Sequence, residues 1–100
     1  MTKNECLMVV AMEECAEIQQ AISKSLRFGL NNYHPNDPSI TNGDQIVTEC
    51  AQLWGVMTML IEAGVLPYFS ATSLSEIARA KKEKVAKYME LSQKLGCVEE

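Results

Sequence analysis

What this sequence lacks argues against several classes of protein. No apolar run approaches the roughly 18 residues that a membrane-spanning helix needs, and two acids interrupt the N-terminal stretch before it is long enough for a secretory signal. Lys and Arg are few, 9 against 13 Asp and Glu, and the net charge of −4 argues against nucleic acid as the main partner. We therefore expect a cytoplasmic protein that binds neither nucleic acid nor membrane.

Motifs for several kinds of chemistry are also missing. GxSxG, GxxxxGKS and GxGxxG do not occur, so a serine nucleophile and a glycine-rich phosphate loop have no support. The four cysteines form no CxxC pair and have no histidine partners at zinc-ligand spacing, which favours reduced, mostly buried thiols. A di-iron site in a helical bundle uses Glu-x-x-His pairs, but the single histidine, His34, falls in a predicted loop.

Apolar residues at the helical period are what the sequence does contain. Hydrophobic residues make up 47% of the chain, and in three segments they recur every three or four residues, which predicts amphipathic helices. The predicted bounds are Lys3–Arg27, a second helix from Asn42 as N-cap to Gly64, and a third from a capping box at Ser73 to Gly96. No convincing run has the strand period. The predicted fold is all-α, an antiparallel bundle of three long helices in one domain, residues 1–100.

Two connections join the predicted helices. Residues 29–44 hold four Asn, two Pro and two Gly, so they cannot continue a helix, and a loop of this length is often a binding loop. Residues 65–72 form a bent connector for which a short helix is predicted. A chain of 100 residues has a limited core, so we expect oligomerisation to complete the core and Trp54 to be part of it.

The stretch EECAE in the first helix is echoed by TECAQ in the second. Glu14 and Glu17 lie one turn apart within the first apolar stripe, and Glu49 and Gln52 have the same spacing in the second. Unpaired carboxylates are costly in a low-dielectric interior, so such groups neutralise, pair or bind a cation. Two matched pairs on antiparallel helices predict an oxygen cage for Mg²⁺, with Mn²⁺ as a substitute. The alternative is a set of buried acids that lysines satisfy.

The order of these motifs resembles the MazG-like all-α nucleoside triphosphate pyrophosphohydrolases, most of all the short phage and bacterial members. The resemblance covers nearly the whole chain, through EECAEIQQAISKSLRFG, the Asn-rich loop, NGDQIVTECAQLWGVMTMLIEAGV and the tail AKKEKVAKYMELSQKLGCVE. Glu14 and Glu17 match the ExxE ligands of the family, and Glu49 matches the first acid of its ExxD. Gln52 stands where the family has Asp, so the cage has three formal negative charges instead of four.

The resemblance implies Mg²⁺-dependent hydrolysis of a (deoxy)nucleoside triphosphate between its α and β phosphates, which gives the monophosphate and pyrophosphate. It also implies a homodimer or a dimer-of-dimers tetramer, located in the host cytoplasm if the protein is phage-encoded. The catalytic positions that it suggests are Glu13, Glu14, Glu17 and Glu49, and the metal positions are Glu14, Glu17, Glu49 and Gln52. The substrate-binding positions that it suggests are Lys24, Arg27, Asn31, Lys81, Lys84 and Tyr88.

Gln52 leaves further interpretations open. Its amide oxygen can still coordinate Mg²⁺, but it carries no charge, so we expect weaker metal binding at that position. The chain is then an active enzyme, a slow one, or a nucleotide- or metal-binding relative that has lost the chemistry. Retained activity is favoured because the other three acids and the lysine-rich tail are present. A rival of a different class is a non-enzymatic helical dimerisation module, whose inward acids pair with Lys or Arg of a neighbouring subunit.

Overall fold

Three α-helices make up the regular structure of the chain. The computed structural model describes residues 1–100 and places α1 at Lys3–Phe28, α2 at Asn42–Glu62 and α3 at Ala71–Lys94. There is no strand, and the only bridge of β type is an isolated antiparallel pair between Tyr33 and Thr41. No helix combines the length and the hydropathy that a membrane crossing requires. The prediction of an all-α fold is confirmed.

Reciprocal hydrogen bonds fix the first residues of α1 and α2. Thr2 and Thr41 each accept a hydrogen bond from the backbone N–H three residues on, and the carboxylates of Glu5 and Asp44 accept one from the backbone N–H of the two threonines. Such caps are each worth about 1 kcal/mol. The predicted cap of α2, Asn42, is therefore wrong by one residue, because the threonine hydroxyl and Asp44 form the complete capping box.

The connection between α2 and α3 also differs from the prediction. Gly64, with a φ of 74°, follows the last turn of α2 as expected. No helical turn lies between Glu62 and Ala71, so the predicted short connector helix is wrong. Pro67 in this connector disfavours helical backbone at the residue before it. The capping box predicted at Ser73 is wrong as well, because Ser70 caps α3 by accepting the Ser73 N–H at 3.1 Å.

The chain divides into two compact units, Met1–Pro67 and Tyr68–Glu100. In the first unit α2 folds back along α1 to form a hairpin, and residues 29–41 join the two helices. The ends of the hairpin are held together because the Gly43 N–H donates to the Leu30 carbonyl at 2.9 Å. The second unit consists of α3 and its flanking residues. The single domain predicted for the whole chain stays a prediction.

Few side chains are buried within the chain. Ala21 and Ser25 of α1 and Leu60 of α2 are buried, since two helices alone enclose only the row of side chains that lies between them. Trp54 is 52% exposed and all four cysteines are exposed. The predictions of a core tryptophan and of mostly buried thiols are therefore wrong for the chain by itself.

Candidate functional site

Three carboxylates meet where α1 and α2 face each other. Glu14 and Glu17 come from consecutive turns of α1, and Glu49 comes from the second turn of α2. Each offers a carboxylate oxygen that lies within 4.8 Å of the others. Glu14 and Glu49 are half-buried, while Glu17 is exposed at the edge of the group. The i, i+3 spacing of the first pair and the reversal of the chain after α1 together produce this carboxylate cluster.

Two of these acids have an oxygen atom without a partner. The Oε2 atoms of Glu14 and Glu49 are buried and accept no hydrogen bond, a condition that costs about 1–3 kcal/mol or more for each group. The other oxygen of Glu49 accepts a hydrogen bond from Gln45 Nε2 at 2.6 Å. The one ion pair in the structure lies on α3, so no lysine or arginine within the chain satisfies the cluster. The alternative of a lysine-satisfied set of acids therefore has no support within the chain.

Crowding of the carboxylates changes the proton affinity of Glu17. A hydrogen bond to Glu49 stabilises the protonated form of Glu17, and the negative charge of Glu14 opposes its ionisation. Both effects raise the pKa of Glu17 above its ordinary value of 4.5. Glu17 therefore holds a proton more tightly than a separate glutamate does, and a cation is a chemical alternative to that proton.

A pocket of about 920 Å³ adjoins the cluster, and Glu17 and Glu49 form part of its wall. This volume is within the usual range of roughly 300–1,000 Å³ for small-molecule sites. The rest of the wall comes from α1, the connecting loop and the start of α2. It includes three aromatic side chains and several amides, among them Phe28, Tyr33, His34, Gln20, Asn32 and Asn42.

Hydrogen bonds within the loop hold this wall in place. Asn42 Nδ2 donates to the Gly29 carbonyl at 2.8 Å, and Asn32 Nδ2 donates to the Phe28 carbonyl. The Asn36 N–H donates to Nδ1 of His34 at 3.1 Å. Because Nδ1 is the acceptor, the neutral imidazole has its proton on Nε2, which has no partner within the chain and is left to donate.

The predicted substrate-binding residues fall in different places. Lys24 lines the pocket. Arg27 stacks over the ring of Phe28 at 4.9 Å and lines a second, more open groove along α1. Asn31 is exposed in the loop and is outside the wall of the pocket. The three remaining residues are exposed on α3 in the second unit, within two turns of one another: Lys81, Lys84 and Tyr88.

Two other predicted residues lie outside the carboxylate cluster. Glu13 is exposed on α1 and points about 100° away from Glu14 around the helix axis. Gln52 is exposed on α2, one turn after Glu49, and it is outside the wall of the pocket. The roles suggested for these two residues stay predictions.

Sequence reasoning missed two amides near the carboxylates. Gln45 bonds Glu49 directly, and Gln20 lines the pocket beside Glu17. Gln45 precedes Glu49 by four residues and Gln20 follows Glu17 by three, so the helical spacing that located the acids also contains the signal for the amides. The loop residues of the wall had no such signal, because their positions follow from the closure of the loop.

No model of a known protein family matches the chain, and neither a curated protein nor a solved structure matches it. The class of protein therefore follows from the fold and the site alone. The chain is an all-α protein with a carboxylate cluster, two members of which line a pocket of ligand size.

Proposed function

We propose that the chain is a Mg²⁺-dependent nucleoside triphosphate pyrophosphohydrolase of the MazG-like kind. It would cleave a (deoxy)nucleoside triphosphate between the α and β phosphates. One observation carries the proposal: Glu14, Glu17 and Glu49 converge within 4.8 Å in and beside the wall of a pocket of about 920 Å³. Hard oxygen donors next to a cavity of this size suit a ligand that combines a metal-bound phosphate group with an organic body.

The residues present fit a divalent cation. Carboxylate oxygens are the ligands that Mg²⁺ and Mn²⁺ prefer, and the unpaired Oε2 atoms of Glu14 and Glu49 are available to it. Gln45 supports the same role, because its hydrogen bond holds Oε1 of Glu49 and fixes the direction of the carboxylate. When bound, a divalent ion neutralises charge on phosphate oxygens and lowers the pKa of a coordinated water.

The pocket suits the remainder of a nucleotide. Lys24 is the cation of the wall and would bind a phosphate oxygen. The rings of Phe28 and Tyr33 offer apolar surface for a base. Nε2 of His34 would donate a hydrogen bond to an acceptor on the base or the sugar, because the other ring nitrogen, Nδ1, already accepts the Asn36 N–H.

The proposed reaction is a hydrolysis in which atoms balance without a further reactant. The oxygen of a water molecule bonds to the α phosphorus, and the bond from that phosphorus to the α–β bridging oxygen breaks. The bridging oxygen leaves with pyrophosphate, and the water loses a proton to the surrounding carboxylates or solvent. Glu13 is proposed to orient this water, and Lys81, Lys84 and Tyr88 are proposed to stabilise charge on the triphosphate.

The oligomer expected from the resemblance belongs to the same proposal, as a homodimer or a dimer of dimers. A second candidate function is a metal- and nucleotide-binding relative with slow or no turnover. The uncharged amide of Gln52 favours it, because the cluster has three carboxylates where the family has four acids.

The experiment that tests the proposal measures pyrophosphate release. Purified protein is mixed with each of the common NTPs and dNTPs in the presence of Mg²⁺ or Mn²⁺, with Glu14→Ala as the control. Release by the wild-type protein above the control supports the enzyme. If no nucleotide yields release above the control, the enzyme is rejected.

A thermal-shift measurement separates the remaining candidates. Stabilisation by millimolar Mg²⁺, absent from Glu14→Ala, indicates binding to the folded state and supports a metal-binding relative where release is absent. No stabilisation by Mg²⁺ or Mn²⁺ would instead favour the non-enzymatic dimerisation module, whose acids pair with the neighbouring subunit.

A further inference from the structure

The two cations near the end of α1 have different positions relative to the pocket. Lys24 is part of the pocket wall, whereas Arg27 is outside it and lines the groove along α1. The guanidinium carbon of Arg27 lies over the ring of Phe28, 4.9 Å from the ring centroid. Neither cation is in an ion pair, because the one ion pair of the chain is on α3. The guanidinium of Arg27 is therefore engaged with an aromatic ring and not with a carboxylate.

Local bonds fix the backbone of Phe28 at the end of α1. Phe28 is the last residue of the helix, and Gly29 follows with a φ of 95°, a conformation that favours glycine. The carbonyl of Phe28 accepts a hydrogen bond from Asn32 Nδ2. Glycine leaves room for this bond, because a Cβ at position 29 would lie 2.9 Å from Asn32 Nδ2. The start of the connecting loop therefore holds the backbone of Phe28 in place.

The ring of Phe28 is much less restrained than its backbone. The residue is 58% exposed, and an aromatic side chain with so much free surface has more than one staggered rotamer open to it. A contact that does restrain the ring is the stack with Arg27, which is well within the roughly 6 Å limit of a cation–π interaction. The planar guanidinium suits this contact better than an ammonium group would.

A phenyl ring has two faces, and the guanidinium of Arg27 covers one of them. Phe28 is part of the pocket wall and Arg27 is not, so the covered face is the one turned away from the cavity. The opposite face is left towards the pocket, whose wall also contains the rings of Tyr33 and His34. The stack of guanidinium and phenyl ring therefore has a free place for one more flat group on the pocket side.

We propose that Arg27 is a positioning residue, which holds the ring of Phe28 as a stacking platform for the base of the nucleotide. This role rests on the proposed function, and it replaces the contact with substrate that the resemblance suggests for Arg27. A platform that is held in its binding orientation loses less conformational freedom when the base stacks on it. The cation on the far face also draws π density away from the pocket face, which weakens the repulsion between two stacked rings.

A direct contact of Arg27 with phosphate fits the geometry less well. To reach the cavity, the guanidinium would have to leave the ring of Phe28 and so release the platform. Lys24 already provides a cation in the pocket wall. The two cations therefore divide the work, with Lys24 for a phosphate group and Arg27 for the ring that meets the base.

Calorimetric titration of the full chain in Mg²⁺ tests the proposal with two probes. One is a nucleoside triphosphate analogue with a methylene group between the α and β phosphorus atoms, which cannot be cleaved there. The other is inorganic triphosphate, which has no base. Arg27→Gln is expected to weaken binding of the analogue about fivefold, the factor that a cation–π contact at an exposed site supplies, and to leave the affinity for triphosphate unchanged. Arg27→Lys is expected to behave like Arg27→Gln, because an ammonium group does not stack as a planar guanidinium does.

A double-mutant cycle shows whether Arg27 acts through Phe28. Phe28→Leu is expected to weaken binding of the analogue about tenfold, because the stacking surface is lost. In that background Arg27→Gln is expected to have no further effect, since the ring that it holds is absent. The matched control is Lys3→Gln, which removes an exposed cation from the first turn of the same helix and is expected to bind both probes as the wild type does.

NMR of the wild-type protein tests the stack without any variant. The ring current of Phe28 is expected to shift the resonances of the Arg27 side-chain protons upfield, and the shift is expected to persist when the analogue is bound. Unshifted resonances overturn the proposal. A shift that disappears on binding also overturns it, because the guanidinium has then left the ring for the phosphates.

The titrations have outcomes that separate this role from the proposed function. Equal weakening of both probes by Arg27→Gln, recovery in Arg27→Lys, or additive losses in the cycle overturn the positioning role. A wild-type protein that binds the analogue no more tightly than triphosphate has no base platform, and this result overturns the role as well. Absence of pyrophosphate release rejects the enzyme alone, because the cycle uses an analogue that is not cleaved.

Discussion

The two sides of the α1–α2 hairpin use the same two helices for different chemistry. The pocket side presents amides, a lysine and the edge of a carboxylate cluster, and residues of the connecting loop complete the wall of its pocket. The opposite side, the apolar side, presents exposed side chains with no charge among them, including those of Met12, Leu26, Val47 and Trp54. Between the two sides runs the row of residues that holds the helices together, in which Ala21 and Leu60 are buried.

This difference shows how a short chain separates binding from association. With 3.6 residues per turn, each helix packs one row of side chains against its neighbour in the hairpin and presents other rows to the two sides of the hairpin. The carboxylates sit at the boundary between the packing row and the pocket flank, so Glu14 and Glu49 are half-buried while Glu17 is exposed. Changes to one side of the hairpin should therefore leave the other side intact.

The largest effect is expected from the row that both sides share. Leu60 is 2% exposed, and Leu60→Ala should lower the free energy of unfolding by about 2–5 kcal/mol, since it leaves a cavity between the helices. Urea denaturation followed by circular dichroism measures this loss. Leu95→Ala, at a residue that is 70% exposed, is the control and should change stability by less than about 0.5 kcal/mol. A cost for Leu60→Ala as small as that of the control would show that this row does not hold the hairpin together.

Glu49→Gln should abolish metal binding on the pocket side without affecting the apolar side. The wild-type protein should gain about 2.7 kcal/mol of stability at a Mg²⁺ concentration 100 times Kd, and the variant should gain almost none. Thermal shift with and without Mg²⁺ measures the gain, and sedimentation checks that the mass is unchanged. Glu62→Gln, an exposed acid at the end of α2, is the control. If this control loses the gain to the same extent, the effect is general charge screening and not coordination.

Gln52→Asp should strengthen the same site to a smaller extent. A fourth carboxylate one turn after Glu49 adds a negative charge, and we expect Mg²⁺ to bind about tenfold more tightly, or about 1.4 kcal/mol. Titration of the melting temperature with Mg²⁺ measures the change, and Gln52→Asn is the isosteric uncharged control. An unchanged Mg²⁺ affinity would place Gln52 outside the metal site. A large rise in pyrophosphate release by Gln52→Asp would show that the glutamine attenuates an active enzyme.

The smallest effect concerns the proton on Glu17. Because the pKa of Glu17 is raised in the folded state, its protonation stabilises the folded protein fully below its ordinary value of 4.5, and this contribution is lost as the pH rises through the raised pKa. Glu17→Gln, measured in a chelator, should therefore become more stable relative to the wild type as the pH increases through that window. Melting temperatures across this range measure the difference, with Glu62→Gln as the control. Parallel curves for Glu17→Gln and the wild type would contradict the raised pKa.

Several features of the fold and of the cluster could be predicted from the sequence. The apolar period and the glycines located the three helices to within a few residues, because helix periodicity and left-handed glycine turns are local properties. The same period placed Glu14 and Glu49 on inward-facing positions, whereas Glu17, one turn from Glu14, is exposed at the edge of the group. The caps were predicted less well, since several neighbouring Ser, Thr and Asn residues offer similar local bonds and only one reciprocal pair forms.

Other features depended on how the chain closes on itself. The apolar stripes of the sequence could not show how far Trp54 and the cysteines are buried. An apolar stripe has the same spacing whether one neighbouring helix covers it or two. The pocket wall also required the structure, since Phe28, Tyr33 and His34 meet Gln45 only after the loop is closed by its bonds to Gly29 and Leu30. Loop closure is a non-local event that residue spacing does not encode.

The sequence by itself determined that this protein is helical and acidic and that it has the two similar motifs EECAE and TECAQ. Composition and a period of 3.6 residues are sufficient for those properties. Only the tertiary structure decided which oxygens are left unpaired, which flank carries the pocket and which flank stays apolar. The physical reason is that these properties belong to pairs of helices. The reversal of α2 along α1 sets the distance between Glu14 and Glu49, and it also turns Cys15 and Cys50 to the same side.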